Sequence, residues 1–375
     1  MSEHNNPISN DRRHLLKAAL AAPLILNSAG AFSATADTAE IEAEALRKLH
    51  AAALAEGGKL VIYAGGDTPV QQDAVKAAFQ KQFPGIDINI VVDYSKFHDV
   101  RLDNQFATNS VVPDVIQIQT VQNFPRWKRL GRLQAFKPAG FENIHPSFKD
   151  ADGAWMAIGV IAFSYMYDSS VVTAPPASPQ ALVNPEWRGK IASAYPHDDD
   201  AVLFLFKRYA EAYGWDWIRR FAAQEPAFAR GSHTPRLALT QQQKIVSVGG
   251  SGSLLDQSGK VRWAIADGHP FLAWGQRAAI VKGSRNLSAA KLYMSWQTSR
   301  ARQQAASNGW SIRTDTTTPA GLRPVWEYAN AHLAEFVSFM EDRAEAERWR
   351  QTFAMYFGEV KGDASPGWLG LHPGA

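Results

Sequence analysis

The sequence contains no cysteine. This absence excludes disulfide bonds, thiolate metal sites, a cysteine nucleophile and a lipid-modified N-terminal cysteine. An oxidising compartment stays compatible with the chain, but disulfides cannot stabilise it there. The most prominent glycine turn also lacks a GxGxxG pattern and is not followed by GKS or GKT. A dinucleotide fingerprint and a phosphate-binding P-loop are therefore not indicated at that turn.

A strong charge imbalance and a long apolar segment are also missing. The chain has 39 basic and 36 acidic residues, and removing residues 1–36 leaves 36 and 34, a net charge of +2. This near-neutral balance gives no indication of nucleic acid or a membrane surface as partner. No segment is long and apolar enough to span a bilayer. The remaining 339 residues suffice for two domains of ordinary size.

The N-terminus carries an export signal. Arg12-Arg13 precedes Leu15–Lys17, Ala18–Leu26 is apolar but too short to cross a bilayer, and Ala34–Ala36 is a small-x-small site. This pattern predicts a twin-arginine signal peptide that is cleaved after about Ala36, with the twin-arginine translocase as partner. An ordinary secretory signal that carries two arginines is the alternative. Both place the mature protein in the periplasm.

The stretch Gly58–Gln72 predicts a strand, a glycine turn and the start of a helix. Lys59–Tyr63 is strand-like, Thr68 suits a helix N-cap with Pro69 after it, and Gln71 suits a capping box. Such a turn places backbone N–H groups and the positive end of a helix at the carboxyl end of a strand. A turn without any ligand is the alternative. The candidate ligand-binding residues here are Gly65, Gly66, Asp67 and Thr68.

Two further β-α units follow this first one. Ile86–Val92 and Pro113–Thr120 are predicted strands, and each precedes a predicted helix. Three successive units favour a parallel sheet with helices on both faces. Loops at the carboxyl ends of neighbouring strands can converge on one crevice, which brings in Tyr94–Lys96 and makes Gln119 and Thr120 candidate site residues.

A second α/β unit begins after a long strand, Ala154–Asp168. Predicted strands at Lys190–Ala194 and Ile245–Val248 repeat the plan, and a helix that opens near Asp198–Asp200 runs to about Tyr213. Phe271–Val281 is a predicted return strand to the first unit. An amphipathic helix at Leu287–Ser299 and two helices within Pro324–Val360 complete the chain.

Three features of this second unit are candidates for ligand binding. Asp198, Asp199 and Asp200, with His197 beside them, could bind a hard cation or an organic cation. The alternative is that acids in a first helical turn only complement the helix dipole. Ser251 lies in a glycine-rich stretch that is one residue short of a GxSxG nucleophile elbow, and Trp274 is a candidate cleft aromatic.

The chain resembles the extracellular solute-binding proteins of ABC importers, and most closely the type II branch of ferric-iron, polyamine, thiamine and phosphonate binders. The resemblance covers about residues 57–318. It depends on the export signal and on four segments: Glu56–Asp67, Pro113–Gln117, Asn184–Lys190 and Ser288–Ser299. It implies a two-lobed type II periplasmic-binding fold of class α/β, with two parallel-rich sheets, flanking helices and a ligand cleft between the lobes. It also implies hinged closure and delivery to a membrane permease.

One departure from the family concerns iron. Iron-binding members usually offer two adjacent tyrosines as ligands, whereas this sequence has no Tyr-Tyr pair, and Tyr165 and Tyr167 are two residues apart. A ferric site of the usual kind is therefore not indicated, and the question of a metal stays open.

Taken together, these features predict a monomeric, non-enzymatic receptor that needs no cofactor. The receptor is expected to capture iron or a small organic ion and deliver it to an ABC permease. The alternatives are an exported metal-dependent hydrolase and a ligand sensor of the same fold. The predicted divisions are a signal peptide at 1–36, a lead-in at 37–57, lobe 1 at 58–158 and 271–318, lobe 2 at 159–270, and C-terminal helices and tail at 319–375.

Overall fold

The protein is described by a computed structural model that covers residues 28–306 and 308–362. The predicted twin-arginine motif lies outside these residues. The helices are α1 Ser28–Ala55, α2 Asp73–Gln82, α3 Ser95–Thr108, α4 Asn123–Arg129, α5 Asp200–Ala222, α6 Thr234–Thr240, α7 Leu287–Thr298, α8 Arg300–Gln304, α9 Leu333–Glu341 and α10 Arg343–Phe357. The strands are β1 Lys59–Gly65, β2 Asp87–Asp93, β3 Val115–Ile118, β4 Leu133–Gln134, β5 Met156–Asp168, β6 Ile191–Ala194, β7 Ala227–Ala229, β8 Val246–Ser251, β9 Val261–Ala264 and β10 Leu272–Val281.

Strand β1 lies between β2 and β3 and is parallel to both. Gly65 is in register with Asp93, and Ala64 with Gln117, so the carboxyl ends of the three strands meet at one edge of the sheet. The three predicted β-α units are thus confirmed. Apolar residues of these strands, Leu60 among them, are fully buried against the flanking helices.

Strands β5 and β10 join the two halves of the molecule. The strand order is β2-β1-β3-β10-β5-β8-β6-β7, so the two predicted sheets are linked into one hydrogen-bonded path. β10 is antiparallel to β3 and to β5, and β5 is antiparallel to β8. The long strand and the return strand, which the sequence predicts as the two crossings between the units, pair directly, with Leu272 opposite Phe163 and Gly275 opposite Val160. The domain boundaries themselves remain a prediction.

The second half repeats the parallel arrangement, because β6 lies between β7 and β8 and runs parallel to both. Helices α5, α9 and α10 cover it with an aromatic core that includes Phe206, Phe336 and Phe353. The predicted helix end near Tyr213 coincides with a break at Gly214, whose φ of 81° is left-handed, and α5 then continues to Ala222.

The predicted start of α2 is wrong. The helix begins at Asp73, and Thr68 lies in an irregular turn before it. Gln71 accounts for the difference, because its Oε1 accepts a hydrogen bond from the backbone N–H of Asp67 at 2.6 Å. A capping box would need the Gln71 side chain to bind the backbone N–H of Thr68. It binds the N–H of Asp67 instead, so no helix starts at Thr68.

Candidate functional site

A small recess lies where the carboxyl ends of β1, β2 and β3 face the start of α5. It has a volume of about 60 Å³. Its polar lining comes from both halves of the chain, and its back is aromatic. The lining residues are Gly66, Asp67, Tyr94, Ser95, Lys96, Gln119, Thr120, Asp198, Asp199, Asp200, Ala201, Gly231, Trp274 and Phe336.

Eight of the eleven residues predicted from the sequence line this recess: Gly66, Asp67, Gln119, Thr120, Asp198, Asp199, Asp200 and Trp274. Thr68 and Ser251 instead line a larger, neighbouring cavity of about 790 Å³, which shares Asp67 and Gln119 with the recess. Gly65 lines neither cavity. The two halves of the molecule therefore bring most of the predicted residues to one place.

The glycines at the end of β1 permit close packing behind the recess. A Cβ at Gly65 would lie 2.2 Å from Oγ of Ser95, and that hydroxyl accepts a hydrogen bond from the backbone N–H of Gln119 at 2.9 Å. The absence of a side chain at Gly65 therefore leaves room for the hydrogen bond between Ser95 and Gln119, while Gly65 itself lines neither cavity.

The sequence pattern of the glycine turn predicts that the backbone N–H groups of Gly66 and Asp67 bind an anionic or polar ligand group, and the structure contradicts this prediction. The N–H of Gly66 donates to the carbonyl oxygen of Asp93 at 3.0 Å, and the N–H of Asp67 donates to Gln71. Both N–H donors already have acceptors, so the group of this turn that remains for a ligand is the carboxylate of Asp67.

Asp67 connects the two halves across the recess. Its Oδ2 accepts hydrogen bonds from Oγ of Ser232 at 2.7 Å and from the backbone N–H of His233 at 3.1 Å. Nδ1 of His233 lies 3.5 Å from the same oxygen but makes no hydrogen bond to a described residue. Within the described part of the chain, the other oxygen, Oδ1, has no hydrogen-bond donor.

The three consecutive aspartates do not act as one cluster. Asp198 pairs with Lys96 from the first half, with Nζ 2.7 Å from Oδ1, and Arg230 lies 3.6 Å from the same oxygen. Asp200 forms an ion pair with Arg350 of α10. The carboxylates diverge because they stand at successive positions of a helix start. The interpretation of the triplet as one joint cation site is therefore wrong.

Asp199 is the N-cap of α5. Its Oδ1 accepts hydrogen bonds from the backbone N–H groups of Ala201 at 2.9 Å and Val202 at 3.0 Å. Burial, and to a smaller extent the nearby charges of Asp67 and Asp200, raise the pKa of Asp199 to about 7, although the two capping bonds lower it. Its Oδ2 accepts no hydrogen bond from any residue that the structure describes.

Two basic residues near Asp198, Lys96 and Arg230, are not among the eleven residues predicted to bind ligand. Lys96 begins α3 and reaches across to Asp198, and its ammonium lies 5.6 Å from the centre of the Tyr94 ring. The sequence signal for Lys96 was present, because it follows the carboxyl end of β2. Arg230 follows β7, a strand that the sequence pattern does not reveal, and its side chain is only 16% exposed.

The back of the recess is aromatic. Trp274 is 1% exposed, packs edge-on against Phe163 at 5.0 Å and lies 5.7 Å from Phe336 of α9. Burial is the main cause that raises the pKa of Tyr94 to about 12, and Asp67 and Asp198 add to it, so the phenol is neutral at physiological pH. Phe336 belongs to the C-terminal helices, and no motif marks it in the sequence.

A bound metal ion would need a cluster of ligating side chains. Among residues 28–306 and 308–362, no group of three or more histidine, aspartate, glutamate or cysteine side chains is placed to hold a metal ion. His197, the expected companion of the aspartates, has its Nε2 2.8 Å from the carbonyl oxygen of Gly358. Its ring therefore faces the C-terminal segment.

This fold and its cleft-like site define a periplasmic-binding type of protein, and the sequence assigns the family. The family profile described as "Bacterial extracellular solute-binding protein" matches residues 110–329, which is more than half of the chain. The protein therefore belongs to the family of bacterial extracellular solute-binding proteins. A comparison with curated protein sequences gives no significant match. Within the described residues, no helix is long and apolar enough to cross a membrane.

Solved structures with the same fold include iron-bound HitA from Pseudomonas aeruginosa, with a TM-score of 0.61, 16% identity, and coverage of 79% of this chain and 99% of that chain. AfuA from Actinobacillus pleuropneumoniae with bound fructose-6-phosphate has a TM-score of 0.63 and 17% identity, and the match covers 80% of this chain and 98% of that chain. A periplasmic thiamin binding protein has a TM-score of 0.61 and 16% identity, and the match covers 80% of this chain and 96% of that chain. These similarities confirm the two-lobed α/β fold, and at such identities they do not transfer a ligand.

Proposed function

We propose that the protein is a periplasmic receptor that captures a small organic cation in the recess between its two halves and delivers it to an ABC permease. Family membership supports the receptor role. The neighbours bind iron, a sugar phosphate and thiamin, so the fold accommodates ligands of different charge and the choice among them depends on the residues of this recess.

The observation that carries the cation proposal is a pair of uncompensated carboxylate oxygens. Oδ1 of Asp67 and Oδ2 of Asp199 accept no hydrogen bond from any described residue, and neither carboxylate has a lysine or arginine partner. The two groups come from opposite halves. A cation placed between them would form charge-assisted hydrogen bonds to both, and these are among the stronger polar contacts in proteins.

The remaining charges favour the same conclusion. Asp198 and Asp200 are already paired with Lys96 and Arg350, so the carboxyl groups left for a ligand are those of Asp67 and Asp199. Burial raises the pKa of Asp199 to about 7, and a bound cation would favour its ionised form. Tyr94, Trp274 and Phe336 add aromatic surface to the lining, which suits an alkylammonium or a flat heteroaromatic cation.

The other candidate functions have less support. A metal-dependent hydrolase needs a cluster of histidine, aspartate, glutamate or cysteine ligands, and the described residues provide no group of three or more. An iron receptor of the usual kind uses two adjacent tyrosines, and the sequence has no such pair. A sensor role would use the same binding site, and it differs from import only in the membrane partner. We propose in addition that the protein is not an enzyme, that it is a monomer, and that the twin-arginine translocase exports it. Replacing both Arg12 and Arg13 with lysine tests the route, because precursor should then stay in the cytoplasm.

Binding should shift the equilibrium between open and closed forms, because ligand contacts from both halves stabilise the closed one. Small-angle scattering should then show a more compact particle at saturating ligand. An unchanged profile would instead favour a rigid receptor.

Titration calorimetry with choline, spermidine and thiamine as cations, and with gluconate and phosphate as anions, tests the ligand charge. Asp67→Asn and Asp199→Asn each keep the side-chain shape and remove one charge. Each should weaken binding of the best cation by about 30- to 150-fold, the effect of losing about 2–3 kcal/mol from one charge-assisted contact. Asp216→Asn is the matched control, because Asp216 is exposed on the same helix.

Binding of the anions alone would contradict the cation proposal and leave the receptor role intact. Equal cation affinity in wild type, Asp67→Asn and Asp199→Asn would likewise remove these carboxylates from the site.

A further inference from the structure

The recess is too small to enclose a whole ligand. Its volume of about 60 Å³ accommodates only a few atoms, such as an ammonium group and its first carbon. The neighbouring cavity of about 790 Å³ is in contact with it, because Asp67 and Gln119 line both. A cation bound at Asp67 therefore has space for the rest of its molecule on that side.

Uncharged hydrogen-bonding side chains dominate the polar lining of the larger cavity. They are Thr68, Gln71, Gln119, Ser232, Ser251, Ser253 and Asn308. The hydroxyls of Thr68 and Ser251 make no hydrogen bond to another described residue, so both can donate to a ligand or accept from it. The floor is the strand segment 160–163 of β5, which is mostly apolar and buried.

Among the described residues, the one arginine that lines this cavity is already paired. Arg236 lies in an ion pair with Asp256, with 2.7 Å between the guanidinium Nη2 and Oδ2. Asp67 and His233 face each other at 3.5 Å. An anionic group would have to break the Arg236 pair, whereas hydroxyl groups can use the side chains of Thr68 and Ser251 as they stand.

We propose that the larger cavity binds a neutral, hydroxyl-rich tail, so that the ligand is an amine of amino-sugar type with its ammonium group in the recess. The hydroxyl side chains of Thr68 and Ser251 and the apolar strand floor match the two kinds of surface that a sugar ring presents. This inference rests on the proposed cation function and adds the chemistry of the tail.

A matched set of probes separates the two parts of the ligand. Glucosamine carries both the amine and the hydroxyls, cyclohexylamine keeps the amine on a ring of the same size without hydroxyls, and glucose lacks the amine. Glucosamine 6-phosphate adds an anionic group to the tail. Calorimetry should find glucosamine bound at least about tenfold more tightly than the other three probes.

Ser251→Ala and Thr68→Val should each weaken glucosamine binding by about two- to tenfold and leave cyclohexylamine binding unchanged, because only the hydroxylated tail uses these groups. Ser338→Ala is the control, since Ser338 is exposed on α9 and lines neither cavity.

Equal binding of glucosamine and cyclohexylamine would overturn the tail proposal while the cation function stands. Tighter binding of the 6-phosphate would overturn it in favour of an anionic tail. Equal binding of glucose and glucosamine would contradict the cation function and the amine part of this inference together. Absence of binding by all four probes would exclude ligands of amino-sugar type.

Discussion

Asp199 combines two roles at the residue level. As the N-cap of α5 it satisfies two backbone N–H groups that would otherwise lack partners, and it also lines the recess. The sequence predicts either a joint cation site or a plain helix start for the three aspartates, and it does not distinguish Asp199 from its neighbours. The choice depends on Lys96 and Arg350, which are far away in the sequence and neutralise Asp198 and Asp200.

The raised pKa of Asp199 predicts a specific pH dependence of stability. Because its pKa is about 7 in the folded protein and near 3.8 in the unfolded chain, the folded form binds the proton over the interval between them. The contribution of this group to the free energy of unfolding should therefore fall as pH rises from about 4 to about 7, and stay constant outside that range. Urea unfolding across this interval measures it.

Asp199→Asn provides the comparison, since asparagine is also a good N-cap and does not titrate. The variant should lose the decline in stability that Asp199 causes between these pH values. A variant whose stability follows the wild-type curve at every pH would mean that Asp199 titrates normally.

Helix starts illustrate what can be predicted at the level of elements. The strands and their order along the chain follow from apolar runs and glycine turns, and β1, β5, β6 and β10 lie within two residues of the predicted starts. The start of α2 was misplaced because the Gln71 side chain hydrogen-bonds to Asp67. That choice depends on the local turn geometry, and residue types alone do not determine it.

Short edge elements were missed for a different reason. β7 spans only Ala227–Ala229, and β9 spans Val261–Ala264, so neither offers enough alternation for a period to be recognised. Their pairing with β6 and β5 provides the stability that their own sequences lack. Arg230 directly follows one of these short strands, so the sequence alone did not place it beside Asp198.

Helix α1 is attached to the body of the protein by a buried ion pair. Glu42 lies 2.8 Å from the Arg313 guanidinium, whose side chain is completely buried, and accepts a hydrogen bond from the backbone N–H of Arg300. Glu42→Ala should lower the free energy of unfolding by about 3 kcal/mol, because it leaves a buried charge with Asp315 as its remaining partner. Chemical denaturation measures the change.

Glu44→Ala is the matched control on the same helix, because Glu44 forms only exposed pairs with Arg47 and Lys48 and should contribute little. A loss of stability in Glu44→Ala as large as in Glu42→Ala would indicate that the helix, and not the buried pair, is responsible.

At the level of the whole molecule, the two crossings organise the site. β5 and β10 are the long strands of the sheet, and they place the ends of β1, β2 and β3 opposite the start of α5. The restart of the β-α pattern after Asp168 and the return at Phe271 made this arrangement predictable from the sequence. The C-terminal helices were also predicted, but the position of Phe336 in the recess depends on tertiary packing that no local pattern encodes.

The ligand is the remaining unknown at this scale, and its charge is the central claim. Native mass spectrometry of the protein isolated from its own compartment, compared between wild type and Asp199→Asn, tests it directly. We expect wild type to carry a small bound molecule with a basic nitrogen, and the Asp199→Asn protein to be isolated largely without it. A bound metal ion or anion, or the same occupancy in both proteins, would contradict the account.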